Sequence, residues 1–369
     1  MLIKNLRIYT TQGKFVQGDL AFAEGKFVEA DTYQGEDVRD GKNFYAIPGL
    51  IDLHVHGALG GDASDGSKEA LQKMAEYELS QGVTSICPTT MTIPLVDLKK
   101  ALQVIDEFAK ENKKGARILG VNMEGPFISP KKKGAQKEDD ILTAEVQTFL
   151  ELNEASGTRI KIVDLASERP GALDFIAALK DQVRISLAHT EANYDEAYRA
   201  FELGAREVTH LYNAMPPFHH REPGVIGAAF DHEHVKCELI VDGVHLHPSV
   251  VRATFAMFGY ERIILISDSM RAAGLEDGEY TLGGQKVFVQ GNEARLADGS
   301  LAGSVTNLME CVRKAVSFGI PLAHAVYAAS TSPALALGVF DKLGSLEPGK
   351  LADFVLLDDE LKVQAIYKH

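Results

Sequence analysis

The strongest constraint in this sequence is a repeated alternation. Eight short runs, Tyr45–Leu53, Val83–Pro88, Arg117–Met123, Ile160–Leu165, Val183–Ala188, Glu207–Thr209, Val235–Val241 and Arg262–Ser267, are separated mostly by helix-length segments. The runs are mostly rich in Val, Ile and Leu and show little polar alternation, as strands covered on both faces do. Ser67–Gln81 places Leu71, Met74, Ala75 and Leu79 on one helical face, with Ser67 as its N-cap. Pro94–Lys110, Ile141–Glu151, Asn193–Leu203 and Pro248–Phe258 read as further helices. This pattern predicts an α/β fold, a TIM (β/α)8 barrel. A doubly wound sheet is the rival, but its G-x-G-x-x-G fingerprint after the first strand is missing.

Both ends of the chain read differently from the middle. Leu6 and Ile8 alternate with Arg7 and Tyr9, and Glu24-Gly25 marks a hairpin between Leu20–Ala23 and Lys26–Ala30. Leu351–Leu357 and Leu361–Tyr367 flank an acidic turn at Asp358-Asp359-Glu360. We therefore expect residues 1–47 and 345–369 to meet in one small β-sandwich beside a barrel at 48–344. The Gly-punctuated stretch near 278–303 reads as a β-hairpin excursion after the eighth strand.

Charge and cysteine usage narrow the function classes. With 38 Lys and Arg against 52 Asp and Glu, the net charge is −14, which argues against nucleic-acid binding. Cys87, Cys237 and Cys311 have no pair spacing, so a disulfide framework is excluded and a reducing cytoplasm is expected. Lys4, Asn5 and Arg7 stand where a signal peptide needs an apolar core, and no apolar run reaches membrane-spanning length.

The ionisable residues fall at informative places. His54 and His56 follow the first strand, Glu124 the third, His189 the fifth and His210 the sixth. Asp242 and His245 follow the seventh, and Asp268 the eighth. In a parallel barrel these C-terminal ends ring one mouth, where barrel enzymes place their chemistry. Imidazole and carboxylate suit Zn²⁺ or Fe²⁺. The two-residue period of a strand puts His54 and His56 on one side, so both can reach one ion. Glu124, His189 and His210 supply three ligands and leave an open position, as a catalytic site requires. Such an ion acidifies its water and polarises a carbonyl, and Asp268 is the candidate general base. Arg221 offers a planar fork of donors suited to phosphate, and Asn213, three residues past His210, can aim its amide at the same cavity. Lys131–Lys133 can steer an anion.

Several segments resemble the amidohydrolase superfamily and, within it, the N-acetylglucosamine-6-phosphate deacetylase family. They are Pro48-Gly49-Leu50-Ile51-Asp52-Leu53-His54-Val55-His56-Gly57, Met123-Glu124-Gly125-Pro126-Phe127, Ala188-His189-Thr190 and Thr209-His210-Leu211-Tyr212-Asn213-Ala214-Met215. Arg221-Glu222-Pro223-Gly224, Asp242-Gly243-Val244-His245, Ser267-Asp268, Leu301-Ala302-Gly303-Ser304 and the tail from Gly344 to Phe354 complete the set. The resemblance implies that Glu124, His189 and His210 bind the main ion and that Asp268 is the acid/base. It places Ala135, Gln136, Asn213, Ala214, Arg221, Asp242, His245 and Leu301, Ala302 and Gly303 on the substrate side. It further implies a homodimer whose phosphate pocket is completed by the neighbouring subunit. The implied reaction is deacetylation of N-acetyl-D-glucosamine 6-phosphate in amino-sugar catabolism and recycling.

Two departures from the family pattern stand out. Some members lack the H-x-H histidines and hold one ion; here both are present, which permits a second, bridged by Glu124. Gln136 stands where some members have a histidine that polarises the acetyl carbonyl; an amide can donate a hydrogen bond but carries no charge. A cyclic-amide hydrolase of the dihydroorotase type would need a bridging lysine at strand four, where Ala166-Ser167-Glu168 stands instead. A non-catalytic scaffold would be expected to have lost ligands, and the set here is complete.

Overall fold

In the computed structural model, which describes residues 1–369, the predicted runs form the staves of one parallel barrel. The staves are Leu50–Val55, Val83–Thr90, Arg117–Ile118 continued by Val121–Glu124, and Ile160–Leu165. Arg184–Leu187, Glu207–Val208, Lys236–Ile240 and Ile263–Ile266 follow. Every neighbouring pair is parallel. The two-residue period sorts the side chains. Val163, Leu165, Ile185, Leu187, Leu239 and Leu265 join the large core shared with the helices. Ile162, Ile240, Ile264 and Ile266 form a separate cluster with Ile51 and Leu53 toward the barrel axis.

The seam between the first and last staves positions the chemistry. The Asp268 N–H donates to His54 O and the His56 N–H to Ser269 O, each at 2.9 Å. The buried Asp52 carboxylate reinforces this seam by accepting the N–H of His54 at 3.1 Å and of Ser267 at 3.2 Å. His54, His56 and Asp268 are thus held by one set of closure bonds.

The helices follow the local signals. Lys68–Ser80 starts at Ser67, which accepts the Ala70 N–H, and Tyr194–Leu203 starts at a capping box of Asn193 and Glu196. Pro248–Phe258 matches its expected range. The helix expected over Ile141–Glu151 runs instead from Val146 to Ala155. The Leu142 N–H is spent on Pro126 O at 2.9 Å, which keeps that stretch out of the helix.

The two ends do join in one small β unit. Leu2–Thr10, Lys14–Ala23, Lys26–Val28, Val38–Asp40, Tyr45–Pro48, Phe354–Leu357 and Val363–Tyr367 make a seven-stranded mixed sheet. The run Tyr45–Leu53 is therefore shared between this sheet and the barrel, with the break at Gly49. A Cβ there would lie 2.2 Å from Thr84 Oγ1, so only glycine lets the chain pass. The excursion after the eighth stave is a three-stranded antiparallel meander, Gly278–Leu282, Gln285–Gln290 and Glu293–Leu296, rather than a hairpin. A second reversal at Gly291 adds the third strand. No helix of the structure is long and apolar enough to cross a membrane.

Arg117 at the start of the third stave pairs with Asp353 of the small unit at 2.5 Å, and Asp353 is buried. Replacing Arg117 with Met leaves that carboxylate buried without its cation. We expect a loss of roughly 3 kcal/mol, read as a lower urea midpoint at unchanged slope.

Candidate active site

Four imidazoles converge on one carboxylate. The Nε2 atoms of His189 and His210 lie 3.0 and 3.1 Å from Glu124 Oε1, and those of His54 and His56 lie 3.5 Å from Oε1 and 3.3 Å from Oε2. All five side chains are buried. They form two ligand groups that share Glu124: His54, His56 and Glu124, and Glu124, His189 and His210.

Backbone geometry aims these side chains. His189, His210 and Asp268 have φ of 44°, 31° and 48°, a left-handed conformation rare outside glycine. Each sits just past the end of its stave, where the turn redirects the side chain into the mouth. Such local strain is typical of functional sites.

The donor set fits metal ions. His56 Nδ1 donates to Thr89 O at 3.1 Å and His189 Nδ1 to Lys132 O at 2.7 Å, so each ring directs Nε2 inward. The Nε2 atoms of His189 and His210 are 3.2 Å apart, and those of His54 and His56 3.3 Å apart. Nitrogens at that separation are satisfied by one shared proton or by an ion that both ligate. Burial pushes His54 down to about 4, so this imidazole is neutral, the form a metal requires. Burial also opposes charge on Glu124, but His189, His210 and His56 outweigh it and hold the carboxyl well below its usual range. Asp268 is likewise lowered against its burial by His56 and His54. Both carboxyls are thus ionised and need positive partners beside them, which imidazolium protons or metal ions supply.

Asp268 Oδ1 is 3.4 Å from His56 Nε2 and 3.7 Å from His54 Nε2, beside both ligand groups. Next to them opens a cavity of about 310 Å³, the size of a small-metabolite pocket. Ala135, Gln136, Asn213, Ala214, His245, Leu301 and Gly303 line it together with His56, Glu124, His189, His210 and Asp268. The Gln136 amide is fixed, because its Oε1 accepts the Thr92 N–H at 2.7 Å and its NH2 donates to Glu124 Oε2.

Three predicted substrate residues stand elsewhere. Asp242 lies behind His245, bonding its Nδ1 at 2.7 Å and accepting the N–H groups of Val244 and His245, so it orients that ring. Ala302 is buried in the small apolar cluster with Met270 and Val287. Arg221 is exposed in a separate cleft, where its guanidinium bonds only His220, with Nη1 at 2.7 Å from its Nε2.

Sequence reasoning missed several neighbours. Met91, Leu282 and Ser300 line the cavity, beside Lys131 and Lys132 of the run expected to steer an anion. Glu238, fully buried, stands 3.2 Å from His54 Nδ1. Its signal was available, since a carboxylate inside an apolar stave demands a polar partner. Met91 and Leu282 carried none, because an apolar side chain looks the same in a core and in a cavity wall.

Residues 45–368 match the amidohydrolase family. The chain is 39% identical to an N-acetylglucosamine-6-phosphate deacetylase of Bacillus subtilis (strain 168), covering 98% of this chain and 94% of that one. It is 38% identical to an N-acetylgalactosamine-6-phosphate deacetylase of Escherichia coli O157:H7, covering 99% and 97%. It superposes with a TM-score of 0.93, at 31% identity and covering 100% and 97%, on a mutant N-acetyl-D-glucosamine-6-phosphate deacetylase of Mycobacterium smegmatis in complex with N-acetyl-D-glucosamine-6-phosphate.

Proposed function

The chain belongs to the amidohydrolase family, and from that premise we propose that it hydrolyses N-acetyl-D-glucosamine 6-phosphate to D-glucosamine 6-phosphate and acetate. The observation that carries this reading is Asp268 standing beside two His–Glu ligand groups at the wall of a sugar-sized cavity.

Glu124, His189 and His210 would hold one divalent ion, and His54, His56 and Glu124 a second; Zn²⁺ and Fe²⁺ both suit these ligands. When bound, the ions supply an acidified water and a Lewis acid for the acetyl carbonyl. Asp268 accepts the proton of the attacking water as oxygen bonds to the acetyl carbon. It then delivers that proton to the amide nitrogen as the C–N bond breaks, so one carboxylate serves as base and acid. Gln136 donates from its NH2 to Glu124 and so holds that carboxylate in place. Asn213 and His245 hold the sugar, His245 with its ring set by Asp242.

The test is acetate release from the gluco and galacto forms of the N-acetylhexosamine 6-phosphate. A kcat/KM higher for the gluco form supports the reading. A preference for the galacto form, as the name of the E. coli relative suggests, would reassign the substrate but keep the chemistry. No acetate from either form by metal-loaded protein would refute it.

In this reading the enzyme is a homodimer in the cytoplasm, a setting that fits its three free cysteines. Arg221 lies outside its own chain's cavity on an exposed loop that also presents Phe218, 52% exposed, which suits a residue that reaches a partner's phosphate. Arg221→Ala is expected to cost roughly 1.5–3 kcal/mol of phosphate binding. It should raise KM for the phosphorylated sugar and leave the unphosphorylated one unchanged. Mixing Arg221→Ala with Asp268→Asn subunits should restore activity, because one active site would then be intact.

A further inference from the structure

The ligand histidines are supported unequally. His56 and His189 donate from Nδ1 to backbone carbonyls, those of Thr89 and Lys132. His210 Nδ1 is buried with no partner. His54 alone faces a side-chain acceptor, with its Nδ1 3.2 Å from Glu238 Oε2. Asn122 Nδ2 stands farther from that nitrogen, at 3.5 Å, and donates to Leu53 O at 3.2 Å. Glu238 lies inside the seventh stave and reaches across the barrel to the first. The same Oε2 accepts the backbone N–H of His210 at 3.3 Å, so it touches an element of each ligand group. Below it, Glu207 is fully buried and pairs with Arg184. Buried carboxyls thus follow one another from His54 through Glu238 and Glu207, which ends on Arg184, beside the buried Asp164–Thr209–Ser186 bonds.

We propose that Glu238 is a positioning residue that sets occupancy of the second ion site, His54–His56–Glu124. By holding the His54 proton on Nδ1 it leaves Nε2 as a lone pair aimed at that site. An acceptor behind a ligand imidazole also raises its basicity and orients its ring. The first site depends on Glu238 only through the His210 backbone N–H, at 3.3 Å, since neither the His189 nor the His210 ring touches it. This inference rests on the two-ion reading of the ligand groups.

The experiment is equilibrium dialysis of metal-free protein with Co²⁺, read by elemental analysis and by the visible Co²⁺ spectrum. The original chain is compared with Glu238→Leu and Glu238→Gln. We expect two ions per original chain. In Glu238→Leu one ion is retained and the second is weakened ~10–100-fold. Glu238→Gln falls between, because its amide oxygen still accepts from His54 while keeping the shape of the side chain. Should the original chain bind no ion at the second site, the two-ion reading fails. Should it bind two and both variants bind two with unchanged affinity, the role of Glu238 fails alone. Equal weakening of both ions in Glu238→Gln also overturns the role, because that is the signature of general loosening of the barrel.

Discussion

Asp268→Asn is expected to lower turnover of the acetylated sugar phosphate by ~10²–10⁴-fold, the range for losing a positioned general base. The amide keeps the shape of the side chain and its backbone bonds across the seam, the N–H to His54 O and the carbonyl accepting the Ser304 N–H. It cannot take the proton of the attacking water. The loss should therefore fall on kcat, with KM and the bound ions little changed. Burst and steady-state acetate measurements, with elemental analysis of the same sample, check this. A variant within tenfold of the original chain would show that another group moves the proton.

Glu124→Gln is expected to have a still larger effect, taking activity to the assay background. Glu124 is the residue common to both ligand groups, and its two oxygens face four imidazoles. An amide offers one acceptor in place of two and no charge, so both groups lose their anion at once. Ions per chain should fall toward zero, and added Zn²⁺ should not restore turnover. In the original chain, chelation should abolish turnover and re-addition should restore it. Retention of one tight ion by Glu124→Gln would show that the ligand groups are independent.

The architecture was legible because burial writes itself into composition. Staves covered on both faces must be apolar, and eight such runs with helices between them have few ways to close. Boundaries were less legible where one run serves two sheets. Tyr45–Leu53 is continuous in sequence, and only the approach of Thr84 to Gly49 divides it. The excursion read as a hairpin because its third strand, Glu293–Leu296, is short. Its pairing with Gln285–Gln290 is a tertiary fact.

The site was legible through residue type and place. His54, His56, Glu124, His189, His210 and Asp268 are polar groups at ends of apolar staves, and the barrel gathers such ends. The positive φ angles that aim His189, His210 and Asp268 left no trace, because no glycine marks them. The exposed placement of Arg221 was equally hidden. A loop's sequence states its chemistry but not which cavity, its own chain's or another's, that chemistry faces.

The sequence by itself determined the barrel, the union of the two ends and which side chains the barrel gathers as candidate ligands, since each depends on local pattern and on which side chains can bind what. Only the tertiary structure decided that Glu238 stands behind His54 and that Arg221 lies outside the cavity. Those are distances between residues on different staves, and the closing of the barrel sets them through shear, twist and seam bonds that no single segment encodes.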